Sequence, residues 1–88
     1  MVKEIYLEKK FNKRLIFREL AIPLFDEIKE EKEVIFNFEN VESVSSSFAQ
    51  EYVYQRYYSN VKVTETNMCE FVENVISGLD KLFRETCL

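Results

Sequence analysis

Histidine is absent from the 88 residues, which removes the imidazole as general base, proton shuttle or metal ligand. A single glycine and a single proline leave no room for a Gly-rich phosphate loop, a flexible linker or a collagen-like repeat. The two cysteines, Cys69 and Cys87, lack the CxxC spacing of a zinc or redox motif. They are also too few for a disulfide framework, and they suit a reducing compartment. No apolar run approaches the roughly 20 residues that span a bilayer, and the opening Met1-Val-Lys-Glu-Ile lacks the basic-then-apolar form of a secretory signal. The expected setting is cytoplasmic, with no membrane contact.

What the chain does carry is core-forming material: 47% hydrophobic and 15% aromatic residues, enough to fold and too short for two cores, so residues 1–88 are expected to form one domain. The net charge is −4 and unevenly distributed: residues 1–33 hold eight basic and eight acidic side chains, residues 34–88 four and eight. Within the first part, Lys9, Lys10, Lys13, Arg14 and Arg18 form a stretch without an acid. It suits a solvated hairpin, or contact with a phosphate or an acidic partner. Nucleic acid is not expected as a partner, because a domain that binds it is usually basic overall.

Periodicity supplies the elements. Ile5 and Leu7 alternate with Tyr6, which predicts a strand over Lys3–Lys9. A turn at Phe11-Asn12-Lys13 and the run Arg14-Leu15-Ile16-Phe17 then complete a hairpin. Apolar residues at 17, 20, 21, 24, 25 and 28 follow a helical stripe, and since Pro23 is tolerated only in a first turn, the helix is placed from about Leu20 to Lys32. Val34–Phe38 is nearly continuous in apolar character, which predicts a central strand covered on both faces. Ser47 and Gln50 have capping-box spacing, opening a helix to Tyr58 with Phe48, Ala49, Tyr52 and Val53 inward. Val61–Thr66 alternates like a strand with one solvated side. Asn67 and Glu70 repeat the capping-box form before a long amphipathic helix. The expected fold is α/β in the order β-β-α-β-α-β-α, a four-stranded mixed sheet with three helices.

In such a sheet, ligands and partners meet the strands' carboxyl ends, here Arg18, the loop from Glu39 to Ser47, and Asn67. The segment VIFNFENVESVSSSFAQE over residues 34–51 resembles the strand, loop and helix start of STAS domains, named for sulphate transporters and anti-sigma-factor antagonists. It is more similar still to a STAS-like family of unknown function, whose pattern is Val-Leu-Asp-Phe-x-x-Val followed by Ser-Phe-Ala-Asp-Glu. Arg18, Ala21, Leu24, Phe25, Ile28, Asn37-Phe38 and Asn67 continue that likeness in register. Asn37 stands where the family has Asp, and Gln50 where it has the first acid of Ala-Asp-Glu, while Glu51 keeps the second.

The resemblance implies a small STAS-like fold and a non-enzymatic regulatory module that binds a protein partner, such as a kinase-type ATPase, through loop 39–47 and helix 47–58. Partner-binding residues would be Ser45, Ser46, Ser47, Glu51, Tyr54 and Tyr58, and Ser46 aligns with the serine phosphorylated in anti-sigma-factor antagonists. A phosphate there would meet the free N–H groups of a helix start, although serines in this position also serve simply as caps. Tyr52, Tyr54, Tyr57 and Tyr58 exceed what one amphipathic helix buries, favouring a contact surface and admitting a homodimer. Two alternatives remain: a small anion- or nucleotide-binding domain using Arg18 and the serines, or an accessory protein of a mobile-element or defence locus. No cofactor is expected, and Glu39, Glu42 and Glu51 match no fixed metal-ligand spacing.

Overall fold

Val34, Phe36 and Phe38 are fully buried, and the strand that carries the first two organises the molecule. The structure is a computed structural model describing residues 2–87, with Cys87 as backbone only. Its elements are β1 (Lys3–Tyr6), α1 (Leu7–Lys10), β2 (Arg14–Leu15), a single 3-10 turn at Arg18–Leu20, α2 (Ala21–Ile28), β3 (Glu33–Asn37), β4 (Ser43–Val44), α3 (Ser46–Tyr58), β5 (Lys62–Thr66) and α4 (Glu70–Cys87).

The expected four-stranded mixed sheet is replaced by two parallel sheets: a main sheet in the order β1-β3-β5, and a two-stranded ribbon of β2 and β4. The hairpin does not form. Leu7 and Phe11 have helical spacing, so burying Leu7 completely and packing Phe11 on the core coils residues 7–10 instead of extending them. The short helix also brings Lys10 to Glu27 of α2, where Lys3 joins it at 3.3 Å. The chain then passes along the far side of the serine loop, where Arg14 pairs with Ser43 and Leu15 with Val44. That loop therefore contains a strand that too few residues announced.

β3 is central, as its apolar run predicts, and β5 lies on an edge. Coverage on both faces is not observed. Ile5, Val34 and Phe36 are buried on the helix side, whereas Glu4 and Tyr6 are exposed and Ile35 and Thr64 half-buried on the other. The helix side is filled by Tyr52, which sits among Phe25, Phe36, Phe38 and Phe48 with ring centroids 5.6–6.1 Å away. Burying an aromatic side chain to this extent contributes about 3–5 kcal/mol relative to alanine.

α2 is shorter than its stripe suggested, because the residues before Ala21 tighten into the 3-10 turn and the chain leaves the helix at Lys29. Pro23 lies in the first turn of α2, where its missing N–H costs nothing. No helix among the described residues is long and apolar enough to cross a membrane.

Candidate functional site

The serine loop is held by Ser45 rather than Ser47. The Ser45 hydroxyl accepts a hydrogen bond from Phe48 N at 3.0 Å and donates one to the Ile16 carbonyl, while its own N–H donates to Leu15 O at 3.0 Å. It thus caps α3 and pins that helix start to the segment after β2. The box expected from Ser47 and Gln50 is absent, because the helix begins one residue before Ser47 and Gln50 is solvent-exposed. Ser46 and Ser47 lie exposed in the first turn.

One turn further on, Glu51 is only 9% exposed. It accepts from Gln55 Nε2 at 2.8 Å and from Arg18 Nη2 at 2.7 Å. The Gln55 hydrogen bond and the Arg18 pair hold its carboxyl below the ordinary range, against the opposing effect of burial. Arg18 therefore arrives at the rim already neutralised. Glu51 is spent inside the molecule on Arg18 and Gln55, and no group of three or more His, Cys, Asp or Glu side chains placed to hold a metal ion occurs among the described residues.

The tyrosines separate by face. Tyr52 turns inward and donates its hydroxyl to Glu65, whose other partner is Arg56 Nη1 at 2.6 Å. Burial and the neighbouring Glu65 carboxylate push the Tyr52 phenol well above its usual range, so it stays a proton donor. Arg56 extends this link to Asp80 of α4 at 2.8 Å. Tyr54 and Tyr58 point outward, 48% and 61% exposed. With Tyr57 they gather around Phe83 of α4 at centroid distances of 5.0–6.2 Å. Beside this cluster, Arg18, Glu51, Val53, Leu79 and Leu82 line an open groove of about 510 Å³.

Sequence reasoning missed the contribution of α4. Leu79, Leu82 and Phe83 keep the helical spacing of the apolar stripe of α4, yet Leu82 is exposed and Phe83 is only partly buried. It also missed Glu65, although an acid in register with Val63 on the inward side of β5 was a readable signal.

At the carboxyl end of β3, buried Asn37 gathers three neighbours. Its Oδ1 accepts from Glu39 N at 2.9 Å and from Asn67 Nδ2 at 3.1 Å, and its Nδ2 donates to Glu4. Asn67 is not the helix cap. Its φ of 57° places it in the left-handed region that Asn tolerates better than most residues, and the helix begins after Cys69, whose carbonyl accepts from Glu73 N at 2.9 Å. Cys69 is exposed, with Sγ 3.7 Å from the Val41 and Glu42 carbonyls.

A parallel β-sheet with helices packed on one face, and a serine-capped helix rising from its rim, define a small α/β domain of STAS-like type. The chain belongs to the family described as the STAS-like domain of unknown function, whose sequence model matches residues 20–66. That match runs from the start of α2 to the end of β5, leaving β1, α1, β2 and α4 outside it. No curated protein and no solved structure matches the chain.

Proposed function

We propose that this domain is a non-enzymatic regulatory module that binds a protein partner across the serine loop and the outer face of α3. The observation that carries this reading is the exposed cluster of Tyr54, Tyr57 and Tyr58 around Phe83, since tyrosine supplies large, amphipathic contact area and is enriched at interfaces. The groove beside it offers Leu79 and Leu82 as an apolar floor next to the Arg18–Glu51 pair, a polar edge that can fix the partner's orientation. Ser46, exposed at the helix start, sits where a phosphate would change the charge that the partner meets.

The test is site-specific photo-crosslinking in the native cell. A photoreactive residue at position 58 is compared with one at position 64 on the open face of the sheet, and the captured protein is then purified and its binding measured by calorimetry. One partner cross-linking at 58 alone is expected, with affinity reduced about tenfold or more by Tyr54→Ser or Tyr58→Ser and by Ser46→Asp. Equal cross-linking at both positions, or binding indifferent to the tyrosine substitutions, would overturn the assignment.

A further inference from the structure

Of the acid-free stretch of residues 9–18, Arg18 alone turns to the α3 surface, where it pairs with Glu51; the residues before it lie apart, and the fold gives them a definite shape. Phe11 and Leu20 form the partly buried floor of a groove of about 690 Å³, and Ile16 and Phe17 stand at its side, 48% and 66% exposed. Around these apolar groups the groove carries Lys10, Lys13 and Arg14 against the single carboxylate of Glu42. Lys10 is occupied by Glu27, and the Arg14 Nε to Glu42 distance of 3.9 Å between two exposed side chains makes a loose pair. Lys13 makes no ion pair among the described residues. A chain of net charge −4 thus concentrates a locally cationic, aromatic-edged groove at one place.

We propose that this groove docks an acidic, amphipathic segment of a protein partner, whose apolar side chains enter between Phe17 and Leu20 while its carboxylates meet Lys13 and Arg14. Charge complementarity selects this occupant. An anionic membrane or nucleic acid would also meet the acidic remainder of the domain and be repelled by it, and the concave apolar floor suits inserted side chains better than a flat lipid surface. A short peptide segment touches only the groove, where the balance is positive. The surface is separate from the tyrosine cluster, so its failure would leave the α3 reading intact.

Fluorescence anisotropy tests the proposal with a labelled helical peptide carrying Leu and Phe on one face and Glu on the other. A counterpart with Lys in place of Glu and vesicles of phosphatidylserine with phosphatidylcholine serve as comparisons. The acidic peptide should bind, more weakly as salt is raised, and the lysine peptide should not. Lys13→Glu combined with Arg14→Glu should weaken binding about tenfold or more, and Phe17→Ser should do the same. Lys62→Glu, an exposed charge reversal on β5, should leave binding unchanged. Because Lys13 and Arg14 are exposed, the charge variant decides the matter even if Phe17→Ser fails to fold. No binding of the acidic peptide, equal loss with Lys62→Glu, preference for the vesicles, or occupation of the groove by a second copy in sedimentation would each overturn the proposal.

Discussion

Asn37 donates its side-chain amide to the Glu4 carboxylate at 3.0 Å, joining the carboxyl end of the central strand to its neighbour. An aspartate at position 37 would keep both acceptor contacts, to Glu39 N and Asn67, but would set a second carboxylate against Glu4. The amide is thus matched to an acid that β1 places beside it.

Asn37→Asp should therefore destabilise the protein at neutral pH by about 1–3 kcal/mol, toward the lower end because Glu4 faces water. The introduced acid would have its pKa raised in the folded state, so its charge penalty grows as pH rises through that value and is relieved below it. Urea unfolding of both proteins at neutral pH and near pH 4 should show the gap narrowing in acid; a constant gap would place the cost elsewhere.

Among the three serines, only Ser45 should matter to folding. Ser45→Ala removes the cap on Phe48 N and the anchor to Ile16, and should cost about 0.5–2 kcal/mol. Ser46→Ala and Ser47→Ala, at exposed positions, should stay within about 0.5 kcal/mol of wild type. Chemical denaturation of the three variants would distinguish them, and a costly Ser47→Ala would refute the assignment of the cap.

Glu51 should contribute to acid sensitivity. Its folded-state pKa lies below the ordinary value of 4.5 through Gln55 and Arg18, so its stabilisation is complete above the unfolded pKa and is lost as pH falls through the folded one. Glu51→Gln should flatten the decline in melting temperature below about pH 4.5. Glu27, also lowered, chiefly by its hydrogen bond to Lys10, should supply the loss that persists. An unchanged pH profile would count against the Glu51–Arg18 pair.

Gly78→Ala should stabilise the protein by about 0.5–1 kcal/mol. A Cβ at this exposed position of α4 meets nothing within 4 Å, so the only change is the helical preference of the backbone. Thermal melts suffice, and a destabilised variant would show that the last helix packs against something at this point.

The sequence was most legible where one residue has one job. The stripe of Phe48, Ala49, Tyr52 and Val53 is buried as its spacing requires, and Val34–Phe38 could hardly have been an edge strand. Legibility failed where two local solutions were close in energy. Residues 7–10 are equally readable as strand or helix, and the balance is tipped by burying Leu7 and by Lys10 meeting Glu27, seventeen positions away. The serine run allowed a cap at any of three positions, and it was the Ile16 carbonyl that selected Ser45. At the candidate site, Tyr54 and Tyr58 could be chosen as surplus to the inner face, but their gathering around Phe83 depends on how α3 and α4 cross, which no spacing within either helix encodes.

All three strand pairings among the described residues are parallel, and their first partners, Lys3 with Val34, Arg14 with Ser43 and Glu33 with Lys62, lie about thirty residues apart in the chain. No turn can therefore nucleate this sheet, and each pairing must wait until a long loop has closed. Such pairings form more slowly than hairpin contacts, because each waits on the closing of a long loop. A fragment lacking either end would lose an outer strand and leave β3 with an open hydrogen-bonding edge, ready to recruit another chain.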